Sequence, residues 1–515
     1  MGKSRTENSI KNAKTGLIVQ LVNRIMAFVV RTVFIKCLNT EYLGVHGLFT
    51  NILTILSFAE LGIGTAIIFN MYKPVAEEDT EKIKSLMQLY KKCYNIIGTV
   101  ILILGLLVIP FMKYIVTDIP NIKENIYFIY ILILLNTSVS YFFTYKKSII
   151  TAHQKQSVIN KIDTIFYIAR SILEIIFLII THNFIIYLLI QIIGTIIENI
   201  ILARKADKMY PYLKEKNIQK LDKKESKNIF DNVKSLIIYQ FGSVIMNGTD
   251  NILVSALINV NTVGLCSNYN MIINAIKSIV QTMFNGVTAS VGNLNAIGNS
   301  EQKEKVFYQL TFLDYVIYSF CAVAFIVLLN PFIELWLGEE YLLGLSVAIA
   351  LSVSFFIDGM RQPGFTYRTT LGLFNKSKAT PYIGAITNII LSILLCKLFG
   401  VVGIFIATSI AQLVSYSWID PYLIHKYEFK TPISKYFKKY IVYCIVFFVE
   451  VALSLFLSKL IDVNLIVNFI YMCLIAILVP NIINLIVFRK TEEFSSLKDR
   501  LITPILKKLK HTNQS

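Results

Sequence analysis

The stretch IIGTVILILGLLVIPF, Ile96–Phe111, decides the fold. It carries no charge, and its length approaches the roughly 20 residues that a helix needs to cross a hydrocarbon core. Lys91 and Lys92 precede it, Lys113 follows it, and a second such run, IYFIYILILLNTSVSYFF (Ile126–Phe143), begins after a short polar patch. Runs of this kind recur to the end of the chain. Of the 515 residues, 55% are hydrophobic and only 16% charged, and the mean hydropathy is +0.61. A soluble fold of that length has no interior able to hide so much apolar surface, so the bilayer is the natural solvent. Closed β-barrels also satisfy their backbone in lipid, but their strands alternate apolar and polar residues. Runs such as Ile176–Ile180 do not alternate. The predicted fold class is therefore all-α, a polytopic membrane protein.

Hydropathy predicts about fourteen transmembrane helices, at 15–38, 43–70, 90–112, 125–145, 162–181, 184–203, 234–257, 263–290, 311–330, 341–360, 380–397, 401–424, 440–458 and 464–487. Basic residues mark alternate connections. Lys3, Arg5, Lys11 and Lys14 precede the first span; Lys73, Lys82 and Lys84 follow the second; Lys146, Lys147, Lys155 and Lys161 follow the fourth; and Arg204 to Lys227 carry the longest basic run. The loops between, such as Thr181-His182-Asn183, are short and poor in Lys. Short loops rich in Lys and Arg stay cytoplasmic, so an even span count leaves both termini inside a cytoplasmic membrane. The same placement accounts for the formal charge of +18 without a nucleic-acid partner, since the aromatic residues lie in the apolar spans and not among the basic clusters. The seven Cys are dispersed without metal-ligand spacing. There is no GxxxxGK(S/T), GxGxxG, HExxH or GxSxG motif. No metal, cofactor or catalytic residue is expected, and no loop is large enough to hold an enzyme domain.

Shifting the second half back by 220 residues lays Asn12, Lys14, Gln20, Ile25, Met26, Asn39, Gly44 and Ile52 on Asn232, Lys234, Gln240, Ile245, Met246, Asn259, Gly264 and Ile272 without a gap. Both copies start inside, which makes the repeat parallel, about an axis along the membrane normal. The expected organisation is a six-helix lobe at 1–203, a cytoplasmic linker at 204–232, a second six-helix lobe at 233–424, and two extra helices with a cytoplasmic tail at 425–515.

Charge inside apolar spans is the informative chemistry, because one Arg, Lys or Asp at midplane costs about 2.5–3.5 kcal/mol and so faces a cavity or a partner. Arg24 and Arg31, seven apart, share one face of the first span. Two guanidinium forks suit a diphosphate, whose oxygens accept them bidentately; the structural alternative is neutralisation by Glu60 or another acid. In the eighth span Asn270, Asn274, Lys277, Gln281 and Asn285 form one stripe. The equivalent stripe of the second span holds Thr50, Thr54, Ser57 and Leu61, with Glu60 one position off. Two related polar faces around a shared cavity is the expectation, with polar packing between helices as the plain alternative. Asp250 is expected to pair with Lys277 or to bind a coupling cation, and Arg170 with Glu174 to form their own pair. Asp314, Asp358, Arg361 and Arg368 fall near predicted cytoplasmic ends, where structural roles are expected, and Glu198 and Glu450 have no evident partner.

The segment Glu41-Tyr42-Leu43-Gly44-Val45-His46-Gly47-Leu48-Phe49, followed by Phe58-Ala59-Glu60-Leu61-Gly62-Ile63-Gly64-Thr65-Ala66, resembles the Wzx-type polysaccharide flippases. Their superfamily also holds multidrug and toxic-compound extruders and lipid II flippases (MATE and MurJ). The resemblance spans the whole chain, at the level of pattern outside that segment. It implies a MATE/MurJ-like fold and translocation of undecaprenyl-diphosphate-linked oligosaccharide repeat units (O-antigen, capsule or teichoic type) from inner to outer leaflet of a bacterial plasma membrane. It also implies alternating access around a cationic cavity and coupling to H+ or Na+ or to membrane potential. Polymerase and glycosyltransferases would be pathway partners, and membrane lipids would surround the chain. Arg24, Arg31, Lys277, Asn270, Asn274, Gln281 and Ser57 would then contact substrate, with Glu60 and Asp250 serving coupling or ion pairing. A multidrug or cation antiporter is the close rival, disfavoured by the basic cavity; a polysaccharide polymerase or ligase would carry a large external loop, which is not evident.

Overall fold

The structure is a computed structural model that describes residues 5–57, 60–116, 121–215, 218–219, 221, 227, 229, 248–461 and 464–498. The seventh expected span up to residue 247, most of the expected linker, the repeat positions 232–246 and the side chains of Asn12, Lys14, Leu61 and Asn285 lie outside the described residues. Among the described residues all regular structure is helical, and ten helical stretches are long and apolar enough to cross a membrane. The chain forms two compact units, Met1–Ser267 and Asn268–Ser515.

The first unit contains α1 (Arg5–Cys37), α2 (Thr40–Leu56), α3 (Glu60–Ala76), α4 (Thr80–Val108), α5 (Ile126–Thr144), α6 (Gln156–Thr181), α7 (Phe184–Met209), α8 (Asp250–Leu257) and the start of α9 (Val260–Ile297). Asparagines set several helix starts. Asn39, Asn125 and Asn183 each accept backbone N–H bonds from the first turn of α2, α5 and α7, satisfying donors that a helix start leaves unpaired. α1 packs along α6, α4 along α5, and α5 along α7. Phe34, Tyr42 and Phe184 meet edge to face, with centroids 5.7 and 5.1 Å apart. Helices outrun the predicted spans, as α4 does from Thr80, because hydropathy registers only the apolar part of a helix and not its amphipathic extension.

The span expected at 43–70 is two helices. α2 ends at Leu56, and α3 begins at Glu60. Ser57 caps α2 with its Oγ donating to the Leu53 carbonyl at 2.7 Å, a side-chain bond that competes with the helical ladder. The span expected at 401–424 divides in the same way at Ser415, whose Oγ donates to the Ala411 carbonyl at 2.6 Å.

Two positions of the 220-residue shift meet in space. Asn39 caps α2, and Asn259 caps α9 by accepting the Thr262 N–H at 2.7 Å. One turn on, a Cβ on Gly44 would fall inside the Val260 carbonyl oxygen, and a Cβ on Gly264 inside that of Thr40. Thr40 and Val260 are themselves equivalent under the shift. The two helix starts therefore cross with each glycine on the other's first carbonyl, a close approach that only glycine allows.

The second unit contains the rest of α9, then α10 (Ser300–Leu337), α11 (Leu345–Met360), α12 (Gln362–Thr370), α13 (Thr380–Phe399), α14 (Val401–Val414), α15 (Tyr416–Ile424), α16 (Ser434–Ser458) and α17 (Leu465–Phe488). α10 is its axis, packed against α11, α16 and α17. Phe356 stacks on Phe447 at 4.1 Å and Tyr315 on Tyr443 at 4.6 Å. Arg368 and Asp420, both buried, pair at 3.1 Å.

Candidate substrate-binding site

In the first unit α1 presents Arg24 as an exposed residue and Arg31 as a half-buried one. Arg31 Nη1 donates to Ser267 Oγ at 2.8 Å, and its charge lies beside Tyr187 and His46. Arg24 lies in electrostatic contact with Tyr167 of α6. One turn along α6, the Arg170 guanidinium stands 5.6 Å from the Tyr167 ring centre and its Nε 3.5 Å from Glu174 Oε1, an ion pair without a hydrogen bond. Gly194 on α7 leaves the space that the Arg170 stem fills. Glu174 and His46 each hydrogen-bond the side chain of Gln191 on α7. A polar track thus joins Arg24 to Arg31 by way of α6, α7 and α2. Arg170 is the cation paired with Glu174, and Arg24 and Arg31 stand at the two ends of the track. The expected Arg170–Glu174 pair is present. That this pair lies on the same track as Arg24 and Arg31 was not legible, because residues of α6 and α7 far apart in sequence close it.

Glu60 opens α3 and accepts hydrogen bonds from Tyr94 Oη at 3.0 Å and Tyr141 Oη at 2.7 Å, while Tyr90 Oη donates to Tyr94 at 3.0 Å. Its nearest groups are these tyrosines of α4 and α5. Ser57, whose hydroxyl donates to its own helix, lies next to Tyr141. Asp250 stands in the first turn of α8, near Cys266.

In the second unit Asn274 and Gln281 are exposed, and Asn270 and Lys277 half-buried, while Tyr269, Ile273, Val280 and Phe284 are buried. The polar stripe is the open face of α9. Lys277 forms an ion pair with Asp358, and Arg361 Nε lies 3.0 Å from Asp358 Oδ1. The Arg361 guanidinium covers the Tyr416 ring at 4.4 Å. Asp250 was expected to pair with Lys277 or to bind a coupling cation; within its own unit Lys277 has Asp358 as its acid, a residue the sequence did not single out for it. Asp358 and Arg361, read from sequence as structural groups, form with Lys277 a cluster of two cations around one carboxylate, and Arg361 also lies in electrostatic contact with Asp420. Glu198 likewise gains a partner that the sequence did not reveal, Lys147 Nζ at 3.4 Å.

A family model described as "Polysaccharide biosynthesis protein" matches residues 9–289. No curated protein matches the chain in sequence. Among solved structures the chain is similar to the lipid II flippase MurJ in an inward closed conformation, with TM-score 0.62 and 19% identity over 92% of this chain and 98% of that one. It is also similar to an inward-facing multidrug resistance MATE family transporter of the MOP superfamily, with TM-score 0.61 and 16% identity over 79% and 97%. A mutant of the Vibrio cholerae MATE transporter VcmN follows with TM-score 0.57 and 14% identity over 82% and 99%. At these identities the likeness is one of fold.

Proposed function

The chain belongs to the polysaccharide biosynthesis protein family, and from that premise we propose that it is a flippase. Its cargo in this reading is an undecaprenyl-diphosphate-linked oligosaccharide repeat unit, carried from the inner to the outer leaflet of a bacterial cytoplasmic membrane with both termini inside. The observation that supports this reading is the gathering of basic side chains in each unit: Arg24 and Arg31 on α1 with the Arg170–Glu174 pair of α6 beside them, and Lys277 and Arg361 around the carboxylate of Asp358. A diphosphate supplies the anion such clusters lack, and Arg matches phosphate oxygens bidentately. The open polar stripe of Asn270, Asn274 and Gln281 offers amides to sugar hydroxyls. The two clusters take the head group by turns in an alternating-access cycle while the isoprenoid tail stays in lipid. Glu60 in its tyrosine cage and Asp250 are the residues we assign to coupling with a proton or sodium gradient. The chain would act between the glycosyltransferases that build the unit and the polymerase that joins units.

An extruder of organic cations on the same fold is the second reading, favoured by the MATE similarity and opposed by the positive sign of both clusters. Native mass spectrometry of the purified protein distinguishes the two. A polyprenyl diphosphate is expected to bind better than the matching monophosphate or alcohol, and Arg31→Ala to remove the preference. Equal binding of all three lipids, or preference for a cationic dye, would overturn the flippase reading.

A further inference from the structure

Asp314, in the middle of α10, is a carboxyl group with no solvent exposure, and both of its oxygens are buried without a hydrogen-bond partner. No ion pair to it occurs among the described residues. An isolated carboxylate in an apolar interior carries a solvation penalty that proteins avoid by keeping the group neutral. What faces it is specific. From its own helix, one turn on, comes Tyr318, whose ring packs on the backbone of Gly359 and lies in electrostatic contact with Asp314, Asp358 and Arg361. From α11 and its end come Asp358, which acts electrostatically on Asp314, and Arg361. α16 contributes Tyr436 and Tyr440, both in electrostatic contact with Asp314. α12 holds Arg368, taken up by Asp420, and Tyr367, whose hydroxyl donates to the Lys303 carbonyl. The stretch of α17 from Ile475 to Phe488 contains no titratable side chain.

We propose that Asp314 is a proton-binding residue, neutral in this structure, whose deprotonation cancels the net charge of the Lys277–Asp358–Arg361 cluster and so loosens that cluster's hold on an anionic head group. With Asp314 protonated, two cations face one carboxylate; with it ionised, two face two. The proton exchanges with water, and no other reactant is needed. The second half of the statement rests on Lys277 binding a diphosphate, as proposed above, whereas the first half stands on the burial and missing partners of Asp314 alone. Because the acid touches no substrate, its role is to set the charge of the groups that do.

Two measurements test this on the purified full chain in lipid. Infrared spectroscopy is expected to show a protonated-carboxyl band that Asp314→Asn removes and Glu450→Gln, which alters a second buried acid, leaves in place. An unchanged band in Asp314→Asn overturns the proton site. Binding of a short isoprenyl diphosphate is then followed from mildly acidic to mildly alkaline pH. Wild type is expected to weaken roughly tenfold more than Asp314→Asn, the order of size of one added unit charge in a partly screened interior. Parallel pH curves for the two proteins overturn the charge control. No diphosphate binding by wild type at any pH, with the infrared band present, overturns the head-group reading of Lys277 while upholding Asp314 as the proton site.

Discussion

Gly44 and Gly47 lie on one helix and answer differently to the same added methyl group. An alanine Cβ at Gly44 would overlap the Val260 carbonyl, backbone that cannot rotate aside. Relief requires α2 and α9 to separate at their crossing, and overpacking of this kind costs about 1–3 kcal/mol. The substitution also regains helix propensity, about 0.8–1.0 kcal/mol in water. The net expectation for Gly44→Ala is a loss of up to about 2 kcal/mol, a shift toward the unfolded state of up to roughly 30-fold. At Gly47 the nearest neighbour is Val263 Cγ1 at 3.8 Å, ordinary contact, so Gly47→Ala is expected to be neutral or slightly stabilising. Gly264→Ala meets the Thr40 carbonyl and should match Gly44→Ala. The double variant should lose less than the sum, because helices already parted by one methyl accommodate the second. Thermal unfolding in detergent, read by loss of the monodisperse peak, measures all four. A Gly44→Ala protein at least as stable as wild type, or strict additivity with Gly264→Ala, would refute the reciprocal crossing.

Asp420→Asn leaves the Arg368 guanidinium buried without its counter-charge, and a loss of about 3–5 kcal/mol is expected; an unchanged melting temperature would contradict the pairing at 3.1 Å. Asp358→Asn withdraws the acid shared by Lys277 and Arg361 and is expected to tighten diphosphate binding by roughly tenfold, a gain that adding Lys277→Ala should erase. Weaker binding by Asp358→Asn would show that the acid positions the cations and does not restrain them. His153, in the turn before α6, stacks on Tyr210 at 4.3 Å, and burial pushes its imidazole below the ordinary range. As pH falls the unfolded chain takes up that proton first, so the stability this site contributes is complete above about pH 6.5 and is lost on acidification below it. His153→Phe keeps the stack and should flatten that part of the stability curve; an unaltered slope would argue against a buried neutral imidazole.

The helices were legible in the sequence because runs such as Ile96–Phe111 have one physical reading. Their interruptions were not, since Ser57 and Ser415 look like other span serines, and Ser352 and Ser409 donate to the same i−4 carbonyls inside unbroken helices. The repeat was legible where it mattered most: Asn39 and Asn259, Gly44 and Gly264 were matched by spacing and are found capping and crossing as equivalents. Arg24, Arg31 and Lys277 stood out as charges in apolar runs. Their partners did not, because Ser267 reaches Arg31 and Asp358 reaches Lys277 through tertiary packing that helical periodicity does not encode. Tyr94 and Tyr141 around Glu60 looked like ordinary aromatic span residues. Asp314 was visible as a charge near a helix end, but its complete burial was not, since that depends on α11, α16 and α17 closing around it.

The flippase reading is tested most directly by reconstituting the protein in vesicles with a fluorescent polyprenyl-diphosphate oligosaccharide in the inner leaflet and following its arrival outside. Wild type is expected to move the lipid and Arg31→Ala to move almost none, with Arg31→Lys recovering part of the rate by restoring the charge without the fork. Full transport by Arg31→Ala, in protein that reconstitutes like wild type, would contradict a guanidinium hold on the phosphates.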